Sequence, residues 1–203
     1  MRFHKPLDHI LGTRLKVAVL RCLAVDGLEL NGRQIALSIG ASPKPVNQAL
    51  VQLTREGVLL QRNVGRTHLF RLNSENPLAK DLIMPLFRRE ADLLNEALRE
   101  AVRDIPGFLS AILYGSVARQ KEEAFSDIDL LVVVENVTEA QAALEERAVS
   151  FLQRYGNILS FTVLSLTEFR RRYLEQDSFI HEVVSSGHVI TGRLILELVY
   201  GPA

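Results

Sequence analysis

Cysteine is almost missing from this chain. Cys22 stands alone among 203 residues, so no disulfide can form within it, which fits a reducing cytoplasm. With no cysteine pairs and five scattered histidines, a structural zinc site has no ligand set to draw on. No run approaches 18 uncharged apolar residues, so no membrane span is expected. The opening residues Met1-Arg2-Phe3-His4-Lys5-Pro6 lead into polar sequence and lack the apolar core of a secretory signal. The expectation is therefore a cytoplasmic protein. Net charge is also missing: 24 Lys and Arg balance 24 Asp and Glu. What is present is ordinary for a globular protein, with 47% hydrophobic residues, which excludes wholesale disorder. The length suits one or two domains.

The zero charge hides an asymmetry. Residues 1–80 hold 12 Lys and Arg against 5 Asp and Glu, and residues 81–203 hold 12 against 19. The halves are thus about equally and oppositely charged, and the basic half suits an anionic partner such as nucleic acid.

The basic half alternates helix and strand signals. From Thr13 to Val25 the apolar residues Leu15, Val19, Cys22 and Leu23 recur at helical spacing, and Asp26-Gly27 suits the helix end. Cys22 sits in this stripe as a small core residue. Leu28-Glu29-Leu30 reads as a short strand. Asn31 followed by Gln34 has the form of a capping box. Ser42 with Pro43 opens a third helix, whose inward stripe is Val46, Ala49, Leu50 and Leu53. Its outward stripe carries Lys44, Asn47, Gln48, Val51, Gln52 and Arg55, side chains able to bond base edges or phosphates. Two strand-like runs flank Asn63-Val64-Gly65-Arg66, and Arg62 and Arg66 are expected near the tip of the hairpin, against phosphate. This order resembles the winged helix-turn-helix of small bacterial and archaeal transcription regulators, over roughly residues 10–75. The resemblance implies double-stranded DNA as partner; a winged helix used for protein contacts is the alternative.

A Leu-, Ala- and charge-rich stretch, Pro77 through Asp104, reads as a helical connector broken at Pro85. Packing within its own chain and pairing with a second copy, as a homodimer on a two-fold operator, both remain open.

The acidic half carries the chemical motif. The strand-like run Leu109–Tyr114 leads into Gly115-Ser116-Val117-Ala118-Arg119. After a ten-residue spacer from Ser116 come Asp127 and Asp129, preceded by Ser126 and opening the apolar run Leu130–Val134. In a strand, residues two apart face the same way, so Asp127 and Asp129 project together and Ile128 turns inward. Two adjacent carboxylates suit Mg²⁺ completed by triphosphate oxygens; unpaired, they repel and raise one pKa. Gly115 allows backbone close to phosphate, Ser116 adds a hydroxyl donor, and Arg119 follows within one turn. A helix opening at Ser116 would add free N–H groups.

Gly115, Ser116, Asp127 and Asp129, with Tyr114, Arg119 and Ser126, resemble the signature of the minimal nucleotidyltransferases of the DNA polymerase β superfamily, over about residues 107–166. The resemblance implies a mixed sheet with flanking helices, Mg²⁺ as cofactor, an NTP as ligand or substrate, and transfer of a nucleoside monophosphate. Minimal members include aminoglycoside-modifying enzymes and antitoxins that adenylylate a toxin partner, so a toxin-like protein partner is among the implications. Active members usually carry a third carboxylate on the next core strand. Here that strand, Asn157–Leu164, has no Asp or Glu, and Ser160 or Thr162 stands in its place. A two-metal displacement uses that group to hold the metal that activates the nucleophile. Nucleotide binding without efficient transfer is therefore expected.

The remaining residues read as scaffold: a helix capped by Thr138, another capped by Thr167 bearing Arg170-Arg171-Arg172 as a solvated face, a short helix from Ser178 to Ser186, and a final element from Leu194 to Leu198. The sequence thus predicts an α+β chain of three parts: a winged helix over 1–76, a helical connector over 77–106, and a nucleotidyltransferase-like domain over 107–203. Its leading reading is a DNA-binding regulator whose second domain binds a nucleotide, and a working transferase is the alternative.

Overall fold

The computed structural model describes residues 2–24, 28–121 and 126–201. The chain divides into two compact units between Leu93 and Leu94. Among the described residues no helix is long and apolar enough to cross a membrane.

In the first unit, α1 (Pro6–Ile10) and α2 (Arg14–Ala24) precede a two-residue strand β1 (Leu30–Asn31). Then come α3 (Gly32–Ser38), α4 (Pro43–Arg55) and a hairpin of β2 (Leu59–Val64) and β3 (Thr67–Leu72). The expected helix end at Asp26-Gly27 lies outside the described residues. The helical stripes read from the sequence meet in one core: Val19, Leu20 and Leu23 of α2, Ile35 of α3, and Val46, Leu50 and Leu53 of α4. Removing one such leucine side chain costs about 2–5 kcal/mol. The capping box at Asn31 forms in full. Its Oδ1 accepts from the N–H groups of Arg33 and Gln34 at 3.0 and 2.9 Å, and Gln34 Oε1 accepts from Asn31 N–H at 3.0 Å. Ser42 departs from expectation. It stands at the N-cap of α4, but its hydroxyl makes no capping bond. Pro43 opens the helix without one, because its fixed φ already suits the first turn.

The three strands form an antiparallel sheet in the order β1-β3-β2. Asn63 and Val64 belong to β2 rather than to the turn, and Val64 pairs with Thr67. The turn is thus only Gly65-Arg66, with Gly65 at φ +59°. Pro85 falls in the first turn of α5 (Met84–Ala101), preceded by a wide π turn over Leu78–Ile83. A proline is tolerated in a first turn because its missing donor would go unused there.

In the second unit, β4 (Phe108–Tyr114), the short turn α6 (Gly115–Ala118), β5 (Ile128–Val134), α7 (Val137–Tyr155) and β6 (Leu159–Ser165) are followed by α8 (Leu166–Leu174), α9 (Ser178–Ser186), β7 (His188–Gly192) and α10 (Ile195–Tyr200). The sheet order is β6-β5-β4-β7; β5 runs parallel to β6, and β4 is antiparallel to both β5 and β7. Alternate residues of β5 face opposite layers. Leu130, Val132 and Val134 pack with Leu98, Leu144 and Phe151. Leu131 and Val133 pack with Phe169, Ile180, Val183 and Leu198. A strand covered on both faces must be apolar throughout, which explains the run Leu130–Val134.

Two expected caps shift. Asn136, not Thr138, caps α7, accepting from Thr138 N–H at 3.1 Å. Ser165, not Thr167, caps α8, accepting from Glu168 N–H at 3.1 Å. Of the three successive arginines, Arg170 is not merely solvated: its Nε donates to the Leu198 carbonyl at 2.7 Å and so ties α10 to α8.

Candidate functional site

The motif residues converge where β4 ends and β5 begins. The chain leaves β4 at Tyr114 and turns at Gly115, whose φ of +78° lies in the left-handed region. In register, Tyr114 pairs with Asp129. A Cβ on Gly115 would stand 2.3 Å from Asp129 Oδ2 and 3.2 Å from its Cγ. Glycine is therefore needed here for two reasons: the backbone angle, and room for a carboxylate seated on its Cα.

Asp127 is exposed just before β5, Ile128 is buried, and Asp129 is half-buried. This is the alternation the sequence predicts. Burial pushes the Asp129 carboxyl above its usual range, the neighbouring Asp127 charge pushes it further, and Arg119 opposes both. Ser116 lies half-buried in the helical turn that opens at Gly115, one residue earlier than expected. Ser126 is half-buried, and its carbonyl accepts from Asn157 Nδ2 at 3.3 Å. Residues 122–125 of the spacer lie outside the described residues. Arg119 follows the turn, and its guanidinium donates to Glu182 Oε1 at 2.6 Å.

On β6, Ser160 stands in register with Asp129 and Thr162 with Leu131, so both share the sheet face of Asp129. Ser160 is exposed. The Thr162 hydroxyl lies 2.9 Å from the Tyr114 hydroxyl, and the two share a hydrogen bond. Burial raises the Tyr114 phenol, and the charges of Asp129 and Glu182 raise it further. Glu168, beyond the strand, is engaged by Arg171 and Arg172, which hold its carboxyl down to about 2. Among the described residues no cluster of three or more His, Cys, Asp or Glu is placed to hold a metal alone. Two carboxylates leave most of an octahedral shell to other oxygens, such as those of water or phosphate, the donor set that Mg²⁺ favours.

The first unit presents a separate face. Lys44, Asn47, Gln48, Val51, Gln52 and Arg55 all lie exposed along α4. Between α4 and the hairpin runs an open groove lined by Asn31, Arg33, Asn47, Gln61, Arg66 and His68, among others. On the groove side of the hairpin Gln61 Nε2 lies 3.1 Å from Asn63 Oδ1, and His68 Nδ1 lies 2.7 Å from the same oxygen. Arg66 occupies the tip. Arg62 does not: it is two pairs back, opposite Leu69, and its guanidinium forks onto Glu29. Arg71 reaches the same carboxylate at 3.5 Å, so this outer face is knit together internally. The expectation of Arg62 beside Arg66 at the tip came from reading Asn63–Arg66 as the loop. Arg33, Gln61 and His68 were not expected in the groove. Their signal was available, because strand alternation puts Gln61 and Asn63 on one face and the register sets His68 opposite Asn63.

Residues 96–194 match the family described as Polymerase beta, Nucleotidyltransferase. No curated protein matches the chain. Solved structures similar to parts of it include a toxin–antitoxin with AMP-PNP, 21% identical over 49% of this chain and 73% of that one, TM-score 0.36. The AntR antimony-specific transcriptional repressor is 22% identical over 46% of this chain and 78% of that one, TM-score 0.37. A homodimeric winged helix-turn-helix DNA-binding domain from Mycobacterium bovis is 20% identical over 47% of this chain and 81% of that one, TM-score 0.35. Residues 96–194 are thus similar to the polymerase β nucleotidyltransferase family, and the first unit has the helix, strand, helix, helix, hairpin order of a winged helix.

Proposed function

We propose that this protein is a DNA-binding regulator whose second domain binds a nucleoside triphosphate with Mg²⁺. The observation that carries the nucleotide reading is the seat of Asp129 on Gly115. A carboxylate lodged against a left-handed glycine, beside a second carboxylate and a hydroxyl, is a poor scaffold feature. It leaves two like charges close together and raises one of them. A divalent cation would relieve that repulsion. Asp127 and Asp129 would hold it, and it would neutralise and orient the triphosphate oxygens. Gly115 and Ser116 would then meet the phosphates through backbone and hydroxyl.

Transfer is a different matter. The face of β6 beside Asp129 offers hydroxyls where a third carboxylate would serve, and the Thr162 hydroxyl is engaged by Tyr114. No side chain there can take a proton from an attacking hydroxyl at neutral pH. We therefore read the domain as a nucleotide sensor with slow transfer or none.

The DNA reading rests on the exposed polar row of α4 and the groove beside it. Lys44, Asn47, Gln48, Gln52 and Arg55 would face the major groove, and Arg66 at the tip would face phosphate. Arg62, engaged by Glu29, shapes the wing rather than touching DNA. A pair of chains would suit a two-fold operator.

The test is calorimetric titration of Mg-ATP and Mg-GTP into the wild-type chain and the Asp127→Ala/Asp129→Ala variant, followed by incubation with labelled NTP. Binding that needs both aspartates, without label transfer, is the expected result. Rapid metal-dependent labelling of any acceptor would make the domain an enzyme and a toxin-like partner the first acceptor to try. No binding of either nucleotide would remove the sensor reading.

A further inference from the structure

The contact between Arg119 and Glu182 joins the motif to an element that the motif does not include. Arg119 is anchored to the Gly115-Ser116 turn through its backbone, its N–H reaching the Gly115 carbonyl at 3.4 Å. The charge of its guanidinium opposes the rise that burial and Asp127 impose on the Asp129 carboxyl. Any phosphate held at Gly115 and Ser116 would find this guanidinium within the same turn. Yet Arg119 is already committed, at 2.6 Å, to a carboxylate from α9.

The two partners differ in freedom. Glu182 projects from a helix that is well fixed. Asp177 caps α9 by accepting from Ile180 N–H at 3.0 Å. Ile180 and Val183 are fully buried on either side of Glu182, and the Phe179 ring meets Tyr114 edge-on at 5.2 Å. The arginine, in contrast, follows a single helical turn on a long, rotatable stem. Both side chains are about half exposed, at 42% and 52%, so the pair is weak enough to be exchanged. Exposed ion pairs contribute about 0–1 kcal/mol.

We propose that Glu182 is an internal competitor of phosphate. Resting on the nucleotide-binding reading above, the proposal is that Glu182 occupies Arg119 when the site is empty and releases it to the incoming triphosphate. Glu182 then acts as a specificity-determining residue: a ligand must outbid a carboxylate to recruit Arg119. A triphosphate, with its greater charge, does so better than a monophosphate.

The experiment is a double-mutant cycle in the full-length chain, with Mg-ATP affinity read by calorimetry for wild type, Glu182→Gln, Arg119→Ala and the double variant. Both residues are surface-exposed, so the fold should survive, and unchanged far-UV circular dichroism checks this. Glu182→Gln should tighten Mg-ATP binding about two- to five-fold, the span that exposed pairs cover. It should have no effect once Arg119 is alanine. Equal tightening in both backgrounds would overturn the proposal, because Glu182 would then act only by repelling phosphate. Weaker or unchanged binding in Glu182→Gln would overturn it as well. If the wild type binds no nucleotide, both this proposal and the wider reading fall. If it binds and the cycle shows no coupling, only this proposal does.

Discussion

Replacing Gly115 with alanine separates two costs that the structure puts at one residue. The first is backbone strain, since alanine must hold φ near +78°. A left-handed residue with a Cβ costs roughly 1–2 kcal/mol. The second is collision, since the new methyl would stand 2.3 Å from Asp129 Oδ2. Displacing a packed neighbour adds about 1–3 kcal/mol. Gly156 provides the control within the same unit: its φ is +77°, and a Cβ there meets nothing within 4 Å. Gly156→Ala should therefore carry the strain alone, about 1–2 kcal/mol, and Gly115→Ala should exceed it by about 1–3 kcal/mol. Adding Asp129→Ala removes the carboxylate and should bring the cost of Gly115→Ala down to that of Gly156→Ala. Native-state amide exchange of β4 and β5 in the full-length chain is the assay, because it reports opening of this unit rather than of the first. Equal costs for the two glycines, or a Gly115 excess that survives Asp129→Ala, would refute the seating of the carboxylate on the turn.

Three further outcomes follow from other contacts. The Asp129 carboxyl is raised in the folded state, so the folded chain binds its proton more tightly than the unfolded chain does; its contribution to stability is full at low pH and is lost as pH rises through that raised value. Asp129→Asn should accordingly flatten the pH dependence of unfolding and stabilise the ligand-free protein at pH 7; a loss of stability at pH 7 would contradict this. Asn31→Ala breaks the capping box of α3 and should cost about 1 kcal/mol in denaturant unfolding of the first unit, and an unchanged midpoint would count against it. Arg66→Ala should weaken binding to all DNA sequences and reduce the salt slope by about 1, whereas Arg62→Ala should leave the slope near that of the wild type; the reverse pattern would return Arg62 to the phosphate.

Elements whose signals are local were legible in the sequence. The stripes of α2 and α4, the Asn31–Gln34 box and the alternation Asp127-Ile128-Asp129 each follow from a periodicity or a cap that needs no distant partner. The two misplaced caps were legible in principle. Asn136 and Ser165 each have a glutamate three residues later, and Asn136 Nδ2 donates to Glu139 Oε1 at 2.7 Å. Thr138 and Thr167 are also good capping residues and stand two residues further along, so the local pattern alone does not choose between them. What the sequence could not supply were contacts between residues far apart in the chain. Nothing local marks Glu182 as the partner of Arg119, 63 residues away, or Glu29 as the anchor of Arg62, 33 residues away. Those contacts depend on which sheet face each helix covers and on strand register. Reading two residues of β2, Asn63 and Val64, as loop is enough to misplace Arg62.

Ion pairs, near and far in the chain, also separate scaffold from candidate site. Glu29 meets Arg62 and Arg71, Glu90 meets Arg21, and Glu168 meets Arg171 and Arg172; each carboxyl is pushed below its ordinary value. Asp129 goes the other way, although Arg119 is near enough to oppose the rise. The difference lies in where that arginine points. Its guanidinium donates to Glu182, so among the described residues the aspartate pair keeps an excess of negative charge. Charge left unbalanced in a half-buried position works against the fold, and such imbalance is characteristic of sites whose remaining partner arrives from outside. A cation with a triphosphate would satisfy both sides of the arrangement at once: the metal would balance Asp127 and Asp129, and the phosphates would compete for Arg119. The ionic-strength dependence of Mg-ATP affinity should reflect this exchange. Salt weakens the Arg119–Glu182 pair as well as the phosphate contact, so affinity should fall less steeply with salt in the wild type than in Glu182→Gln, where only the phosphate contact remains to be screened.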